Sequence, residues 1–516
     1  MRQCHQTSSC TGCDQLVNRR RFLQGAALTA AALGAGPLPA ADPPPVRVAL
    51  VFLSNSEGRE IWPYPGFDCA ARHAEVLGAL RKGCPDVDYV PVVVATPADV
   101  AQATALRDQV DGYLVYTVTL QWGFTQPLVE IGKLGKPLVI ADEFLGGSGV
   151  FLIGASQICR TGNPAALVSS TRLDDLVVVA RQFAALKQPG MTPGRFVEQC
   201  RSVARTTFPT AASSSCASDS VTLTPIGECL QRLRTSRIVF VGTGVAGQEH
   251  DVLGAKAIYV GFDELRAIYD RVDQDQAADC GQRWRASAEQ VREPTPDWIN
   301  KAAAVYLATK ELMKQHAADS VTMNCLGGFA SGQLPAYPCL GFMQLLDDGL
   351  QGVCEAMPDD AVSMLMARVL TGRSGYVSDP ALDTSKNQIV YAHCMAMTKV
   401  FGTDGATARF HIRNLHNRDP RGCCAQSFLP EGYLTTSFRT NMAQKKLVVH
   451  QAKAVGNLDS DRGCRTQLVG EVRGDIEKLL YEWDRFGWHR VTLYGDVQEP
   501  ICEFGRALGL EIVEEA

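Results

Sequence analysis

The sequence lacks a long uncharged apolar stretch beyond its first forty residues, and we therefore predict no membrane span in the rest of the chain. It also lacks the basic stripe that nucleic acid attracts, so no nucleic acid partner is expected. No internal repeat of fixed period occurs. About 46% of the 516 residues are apolar and 20% are charged, as in ordinary globular proteins.

Paired zinc-binding cysteines are missing as well. Cys10 and Cys13 have the spacing of one zinc-ligand pair, but no second pair lies near them. Of the 18 cysteines, 15 follow residue 41, and this odd number cannot pair completely within the chain. Most stand in apolar runs, such as 322–326, which is typical of small buried hydrophobic residues. A disulfide framework is therefore not required.

The first 41 residues have the features of a twin-arginine export signal. Residues 19–23 read Arg-Arg-Arg-Phe-Leu, and a run of small, weakly apolar residues follows at 25–41. An ordinary basic amphipathic N-terminus is the less specific alternative. We expect 1–41 to be recognised by the twin-arginine translocase, which exports folded cargo, and the mature protein to be periplasmic or extracytoplasmic.

The remaining 475 residues suffice for two or three domains with their own cores. Without the four arginines and one aspartate of the leader, 46 basic and 54 acidic residues give a net charge of −8. The mature chain is thus expected to be an acidic protein.

Strand and helix patterns alternate over residues 46–325. Strands are predicted at 46–53, 89–95, 112–116, 137–141, 237–241, 257–261 and 320–325. Helical patterns lie between them, among them 98–109 and 173–186. This alternation predicts two doubly wound parallel-sheet α/β domains, at 46–168 and 169–325. Shorter strand-like runs follow, at 388–392, 409–413, 434–438 and 446–450, and predict a mixed β-rich C-terminal domain over 326–516.

A glycine motif follows the predicted strand 237–241. Residues 242–247 read Gly-Thr-Gly-Val-Ala-Gly, and Asp263 lies 21 residues after Gly242, as in a dinucleotide fingerprint. Glu249 and Asp251 would however repel a pyrophosphate at the start of the next helix. A glycine-rich turn is therefore favoured and no cofactor-binding residue is assigned, while a sugar-binding loop stays open.

Two carboxylates and two imidazoles are scattered through the last domain. They are Glu355, Asp379, His393 and His489. These are ligand types of a borderline-hard divalent ion, and Mn²⁺ suits them more naturally than a closed structural Zn²⁺ site. Spacing alone is weak support, because any chain of this length has scattered acidic residues and histidines.

Several motifs follow one another in the last part of the chain: the runs 324–328 and 334–341, Cys354-Glu355-Ala356, Tyr376-Val-Ser-Asp379-Pro, and then His393 and Trp488-His489-Arg490. Through these motifs the chain resembles the L-fucose isomerase and L-arabinose isomerase superfamily. This resemblance spans the mature chain loosely and residues 320–516 best. It implies that Glu355 and Asp379 bind metal and move protons, that His489 completes the metal shell, and that the protein is a homo-oligomer. His393 matches a histidine that only part of the superfamily uses, so a buried structural role stays open. The Met357-Pro358 that follows Ala356 departs from the family pattern.

The predicted function is metal-dependent aldose–ketose isomerisation of a pentose or deoxyhexose through an enediolate. A non-catalytic exported sugar-binding protein is one alternative, because two α/β lobes also form periplasmic receptors. A nucleotide-dependent sugar oxidoreductase, based on 242–247, is the other.

The remaining histidines and tryptophans are weaker candidates. His411 and His416 flank Arg413 and fit either a polar loop near a sugar or a strand edge, while His450 is predicted to be a buried structural residue. Trp62, Trp122 and Trp488 could stack on a sugar, although such residues are more often core anchors.

Overall fold

The fold was analysed in a computed structural model, which describes residues 45–55, 66–209, 215–415, 419 and 421–516. The predictions for residues 1–41, for Trp62, for His416 and for the side chain of Trp122 lie outside this part of the chain.

The first sheet is parallel and has the strand order β2-β1-β3-β4-β5. Its strands are β1 (Val46–Leu53), β2 (Val87–Val94), β3 (Gly112–Thr117), β4 (Leu138–Asp142) and β5 (Ala166–Val168). The helices of this lobe are α1 (Cys69–Gly83), α2 (Val100–Thr104), α3 (Thr125–Gly132), α4 (Ser148–Arg160), α5 (Leu173–Ala180) and α6 (Pro193–Arg205). Short 3₁₀ turns occur at Pro97–Asp99, Trp122–Phe124 and Arg181–Ala185.

Helices cover both faces of this sheet, as expected for a doubly wound fold. Alternate side chains of β1 enter different cores: Leu50 packs with α1, α5 and α6, whereas Val51 packs with α2, α3 and α4. Two predicted helices are shorter than expected. The pattern at 98–109 gives only a 3₁₀ turn and α2, and the pattern at 173–186 leaves α-helical geometry after Ala180.

The second sheet has the order β11-β10-β6-β8-β7, in which only β7 runs antiparallel. The elements of this region are α7 (Ile226–Thr235), β6 (Arg237–Val241), β7 (Glu249–Val252), β8 (Ala255–Val260), α8 (Phe262–Tyr269), α9 (Gln274–Ser287), β9 (Gln290–Val291), α10 (Pro296–Gln315), β10 (Ser320–Met323), α11 (Cys325–Ala330), α12 (Cys339–Asp347) and β11 (Gln351–Cys354). Strand β11 extends this sheet from within the range predicted for the C-terminal domain.

The glycine motif forms a tight turn before a strand. Gly242, Gly244 and Gly247 have φ angles of 72°, 64° and 83°, which glycine adopts most readily. A Cβ on Gly242 would lie 2.0 Å from the Phe262 ring, so the turn also needs the missing side chain. Strand β7 follows and pairs with β8. A dinucleotide fingerprint requires a helix at this place, so the oxidoreductase alternative loses its structural basis.

The C-terminal region is built on a closed six-stranded antiparallel barrel, which leaves its ring strands without free edges. Its elements are α13 (Pro358–Thr371), β12 (Tyr376–Asp383), β13 (Gln388–His393), β14 (Arg409–Asn414), β15 (Cys423–Phe428), β16 (Leu434–Asn441), β17 (Lys446–Asn457), β18 (Thr466–Arg473), α14 (Ile476–Glu482), β19 (Arg490–Tyr494), α15 (Gln498–Ala507) and β20 (Glu511–Glu514), with 3₁₀ turns at Thr384–Lys386 and Trp483–Phe486.

The barrel closes in the order β16-β19-β12-β13-β18-β17, and β17 pairs back to β16. Strand β20 adds to β17 in parallel, while β15, β14 and β9 form a separate small sheet. This arrangement confirms the predicted fold class of α/β sheets followed by a mixed, β-rich region.

Among the described helices, none is both long and apolar enough to cross a bilayer. The 15 cysteines after residue 41 are all described and form no disulfide.

Candidate functional site

The four residues predicted as metal ligands meet at one end of the barrel. Glu355 directly follows β11, Asp379 lies in β12, His393 ends β13, and His489 immediately precedes β19. Strand β12 pairs with both β13 and β19, and Asp379 stands opposite Ala392 in this ladder. The strand register therefore brings together residues that are up to 134 positions apart in the sequence.

His489 lies at the centre of this group. Its Nε2 is 3.2 Å from Asp379 Oδ1 and 3.7 Å from Glu355 Oε2. The rings of His393 and His489 have centroids 5.7 Å apart. Glu355, His393 and His489 each offer a ligand atom within 4.8 Å of the other two. Asp379 is outside this set of three and touches it through His489.

Three buried imidazole nitrogens at this site have no hydrogen-bond partner among the described residues. They are both ring nitrogens of His393 and Nε2 of His489, whose 3.2 Å contact with Asp379 is not aligned as a hydrogen bond. A buried polar atom without a partner costs about 1–3 kcal/mol. The carboxylate of Glu355 and the unpartnered nitrogens of two imidazoles fit a divalent metal ion. These donors are compatible with more than one metal.

The backbone is strained at the candidate ligand Glu355. Glu355 and Ala356 have φ angles of 69° and 54°, in the left-handed region that residues with a Cβ rarely adopt. Such conformations cost on the order of 1–3 kcal/mol and cluster at functional sites. The two left-handed residues turn the chain from β11 into α13, which begins at Pro358. Proline is favoured at the first position of a helix, so the departure from the family pattern is compatible with an ordered helix start.

A buried carboxylate orients His489. Asp360 Oδ2 is 2.6 Å from His489 Nδ1, and Asp360 Oδ1 accepts a 2.7 Å hydrogen bond from Arg439 Nε. This contact assigns the proton to Nδ1 and directs Nε2 into the site, as carboxylates commonly do behind metal-binding histidines. The role of Asp360 was not predicted from the sequence. Asp359 and Asp360 are adjacent in the first turn of a helix, which is an ordinary favourable position for acidic residues and indicates no particular function.

Charges around this pair shift both pKa values. Burial alone would raise the pKa of Asp360, but the charges of Arg439 and His489 outweigh it and lower that pKa. Burial likewise opposes a charged His489, and Asp360 reverses this effect and raises the pKa of His489 well above its usual value. The pair is therefore an ionic contact within the barrel end.

Hydrogen-bond donors hold both oxygens of Asp379. Trp488 Nε1 donates to Oδ1 at 2.6 Å, and Cys464 Sγ lies 3.6 Å from Oδ2. Burial would raise the pKa of Asp379, yet the close contact with His489 and the charges of His393 and His489 lower it. The carboxylate is thus fixed in position as an anion.

The site opens into a cavity of about 200 Å³. Glu355, Asp379 and His393 line it on the barrel side, and Leu120, Leu145 and Gly149 line it from the first lobe. Its wall also includes five cysteines, which are Cys325, Cys339, Cys354, Cys394 and Cys464, together with Arg462 and Trp488. The space admits a small organic molecule beside Glu355, His393 and His489, which we call the metal-ligand group.

The other predicted histidines have different settings. His450 is buried as expected, with Nε2 2.7 Å from the Tyr391 hydroxyl and Nδ1 2.8 Å from Glu515 Oε1. His411 lies in β14, 3.3 Å from a carboxylate oxygen of Glu289 and beside the Phe428 ring, and does not line the cavity. Trp488 lines the cavity, as a sugar-stacking residue would.

Comparison with known proteins points to sugar isomerases. No family model matches the chain. Two curated proteins named sulfoquinovose isomerase, from Priestia aryabhattai and Priestia megaterium, are each 28% identical to it over 221 residues. The match covers 41% of this chain and 48% of each relative, so the chain spans about half the length of the curated relatives it matches. The similarity supports a sugar isomerase superfamily, without singling out the L-fucose and L-arabinose isomerases within it.

Proposed function

We propose that this protein is an aldose–ketose isomerase that works with a divalent metal ion. The observation that carries the proposal is the convergence of Glu355, Asp379, His393 and His489 beside one cavity, which the first three line. The unpartnered Nε2 of His489 lies between the two carboxylates. The similarity to two proteins named as sugar isomerases supports the same class of reaction.

Glu355, His393 and His489 would hold the ion, and Asp379 would add a carboxylate next to it. We propose Mn²⁺ because the donors are oxygen and imidazole nitrogen without thiolate. A bound divalent cation supplies electrostatic stabilisation to the charge that develops on two neighbouring sugar oxygens.

The two carboxylates supply the proton transfers. One of them removes the proton from C2 of the open-chain aldose, which gives an enediolate, and an acid on the other side returns a proton at C1. The hydroxyl proton of O2 moves to O1, so the sugar needs no external oxidant or reductant. Asp379 is held by Trp488 and Cys464, whereas the side chain of Glu355 is 37% exposed and lines the cavity. Positioned proton transfer of this kind contributes about 10²–10⁴-fold.

The substrate is proposed to be a pentose or a deoxyhexose, on the basis of the resemblance described above. Sulfoquinovose belongs in the same test, because the two relatives carry its name. We further propose that the protein acts outside the cytoplasm after twin-arginine export, and that it assembles as a homo-oligomer.

The test compares the wild-type protein with Glu355→Gln, Asp379→Asn and, as control, Glu311→Gln. Glu311 lies on α10 with its side chain 45% exposed, and it does not line the cavity. Bound metal, melting temperature and isomerisation of pentoses, deoxyhexoses and sulfoquinovose are measured for each. We expect both site variants to stay folded and lose about 10²–10⁴-fold in turnover. Metal affinity should fall most in Glu355→Gln, since Asp379 contacts the metal-ligand group only through His489.

Normal turnover in both site variants would refute the proton-transfer roles, and normal metal content in Glu355→Gln would refute the metal site. A wild-type protein that binds metal and sugar but isomerises none of the tested sugars would indicate a sugar-binding protein instead.

A further inference from the structure

Arg462 lies on the wall of the same cavity, between β17 and β18. Arg462, Gly463 and Cys464 all line this space, and the thiol of Cys464 contacts Asp379 at 3.6 Å. Arg462 and Cys464 are two residues apart in the sequence. Their Cα atoms therefore lie within roughly 7 Å of each other, because an extended chain advances by at most about 3.3–3.6 Å per residue. A sugar placed at the carboxylates would therefore extend toward Arg462.

The guanidinium is held in a fixed orientation. Its Nη1 donates to Glu143 Oε1 at 2.5 Å, and its central carbon lies 4.3 Å from the centre of the Phe67 ring. Arg462 is not the sole partner of Glu143, because the other carboxylate oxygen of Glu143 accepts hydrogen bonds from Arg72 and Tyr116. One buried carboxylate is thus shared by two arginines. Glu75 also pairs with Arg72, but its side chain is 61% exposed and its charge is screened by solvent.

One edge of the Arg462 guanidinium has no acceptor among the described residues. Nε is buried without a hydrogen-bond partner, and the hydrogen bonds of the side chain use Nη1 alone. Gly146 lies close to this edge, where a larger residue would press on the guanidinium. A Cβ on Gly146 would lie 3.0 Å from Nη2 and 3.6 Å from Nε, and 3.1 Å from the carbonyl oxygen of Val118.

We infer that Arg462 binds an anionic group of the substrate, at the end of the sugar away from the carbons that isomerise. This inference rests on the proposed function. The Nε and Nη2 donors of arginine form a planar fork that matches two oxygens of a carboxylate, phosphate or sulfonate. Glu143 fixes the other side of the guanidinium, so the fork is directed before the ligand arrives. The proposed pentose or deoxyhexose substrate is then narrowed to an acidic sugar with its charge at the terminal carbon.

The test measures binding by calorimetry, which does not depend on turnover. The ligands are glucuronate, glucose 6-phosphate and sulfoquinovose, which carry a carboxylate, a phosphate and a sulfonate at C6, and glucose as the neutral counterpart. We expect at least one charged sugar to bind wild-type protein about 10-fold to 100-fold more tightly than glucose, as hydrogen bonds to charged groups allow. Comparison among the three identifies the anion.

Three variants examine the fork. Arg462→Gln removes the charge, Arg462→Lys keeps the charge without the fork, and Gly146→Ala obstructs the fork while retaining the Arg462–Glu143 pair. We expect the preference for the charged sugar to disappear in Arg462→Gln and Gly146→Ala and to weaken in Arg462→Lys. Arg506→Gln is the matched control, since Arg506 is 55% exposed on α15, pairs with one glutamate and lies outside the cavity.

Equal affinity of wild-type protein for glucose and for all three charged sugars would overturn the inference, as would an unchanged preference in folded Gly146→Ala and Arg462→Gln. Selective binding without isomerisation would instead refute only the proposed function. Isomerisation of neutral sugars without charge preference would refute only the role of Arg462.

Discussion

At the scale of single residues, the candidate site depends on a side chain that touches neither the cavity nor the proposed metal. Asp360 lies behind His489 and fixes which ring nitrogen faces the site, while Arg439 holds Asp360 from the other side. A histidine without such a partner can rotate or exchange its proton between nitrogens. Part of the free energy of metal binding is then used to orient the imidazole ring.

Asp360→Asn should lower metal affinity about 10–100-fold, because the neutral amide keeps the shape but not the charge that orients the imidazole. Metal binding is measured by titration calorimetry, together with melting temperature. Asp359→Asn serves as the control, since Asp359 stands next in the sequence and bonds to the backbone of Met442 but does not contact His489. Equal metal affinity in the wild type and in folded Asp360→Asn would contradict the orienting role.

The sequence pointed to the four residues that the structure brings together, but not to the residues that hold them. Glu355, Asp379, His393 and His489 were identifiable by their chemistry and by the resemblance. Asp360 and Trp488 act through contacts that cross 129 and 109 sequence positions, and these depend on strand register. Register is determined by pairing across the whole barrel, which no local pattern in one strand contains.

At the scale of elements, apolar runs were the most reliable signals. Strands β1, β6 and β13 begin where predicted, because continuous apolar runs bounded by polar residues fit a sheet that is buried on both faces. Strand β12 carries Asp379 and was missed, since Pro380 interrupts a segment that otherwise alternates. Helix α2 was predicted too long because its pattern continues past the point where the chain leaves helical geometry.

A buried ionic network also joins three elements of the barrel region. Arg490, at the start of β19, donates to Glu515 at 2.8 and 2.6 Å, and Glu515 follows β20 and contacts His450 in β17. Burial would raise the pKa of Glu515, but Arg490 and His450 lower it to about 2. The network therefore ties the last strand to the barrel through one carboxylate.

This network predicts how stability depends on pH. A carboxyl with a lowered pKa stabilises the fold above its unfolded pKa of about 4.3, and this contribution of roughly 3 kcal/mol is lost as pH falls toward 2. Chemical denaturation between pH 6 and pH 2 should thus show falling stability. Glu515→Gln should be less stable by about 3–5 kcal/mol at pH 6, since it leaves Arg490 buried without its partner, and should lose less on acidification. Parallel curves for both proteins would exclude Glu515 as the titrating group.

At the scale of the whole molecule, the cavity belongs to more than one lobe. Its reactive groups come from the barrel and from the end of β11, while Leu120, Leu145 and Gly149 come from the first lobe. The ion pair between Arg462 and Glu143 connects the two sides. Folding of both lobes must therefore precede substrate binding, which agrees with a chain that is predicted to be exported only after it has folded.

The export prediction is tested by Arg19→Lys combined with Arg20→Lys. Both guanidinium groups of a twin-arginine signal are recognised as a pair, so we expect the double variant to stay in the cytoplasm. Cell fractionation followed by immunoblotting measures this, and Arg21→Lys is the control, because position 21 is the variable position of the motif. Export of the double variant at the wild-type rate would remove the twin-arginine interpretation.

The cysteines around the cavity have a consequence for the substrate itself. An open-chain aldose carries an aldehyde, and thiolates capture aldehydes as thiohemiacetals. Contacts with Cys325 and Cys339 and burial raise the pKa of Cys354, and contact with Cys394 and burial raise that of Cys464. Both sulfurs therefore stay protonated and weakly nucleophilic at neutral pH. The same burial that makes Cys354 and Cys464 good packing residues leaves these two thiols unreactive toward the aldehyde that the cavity is proposed to receive.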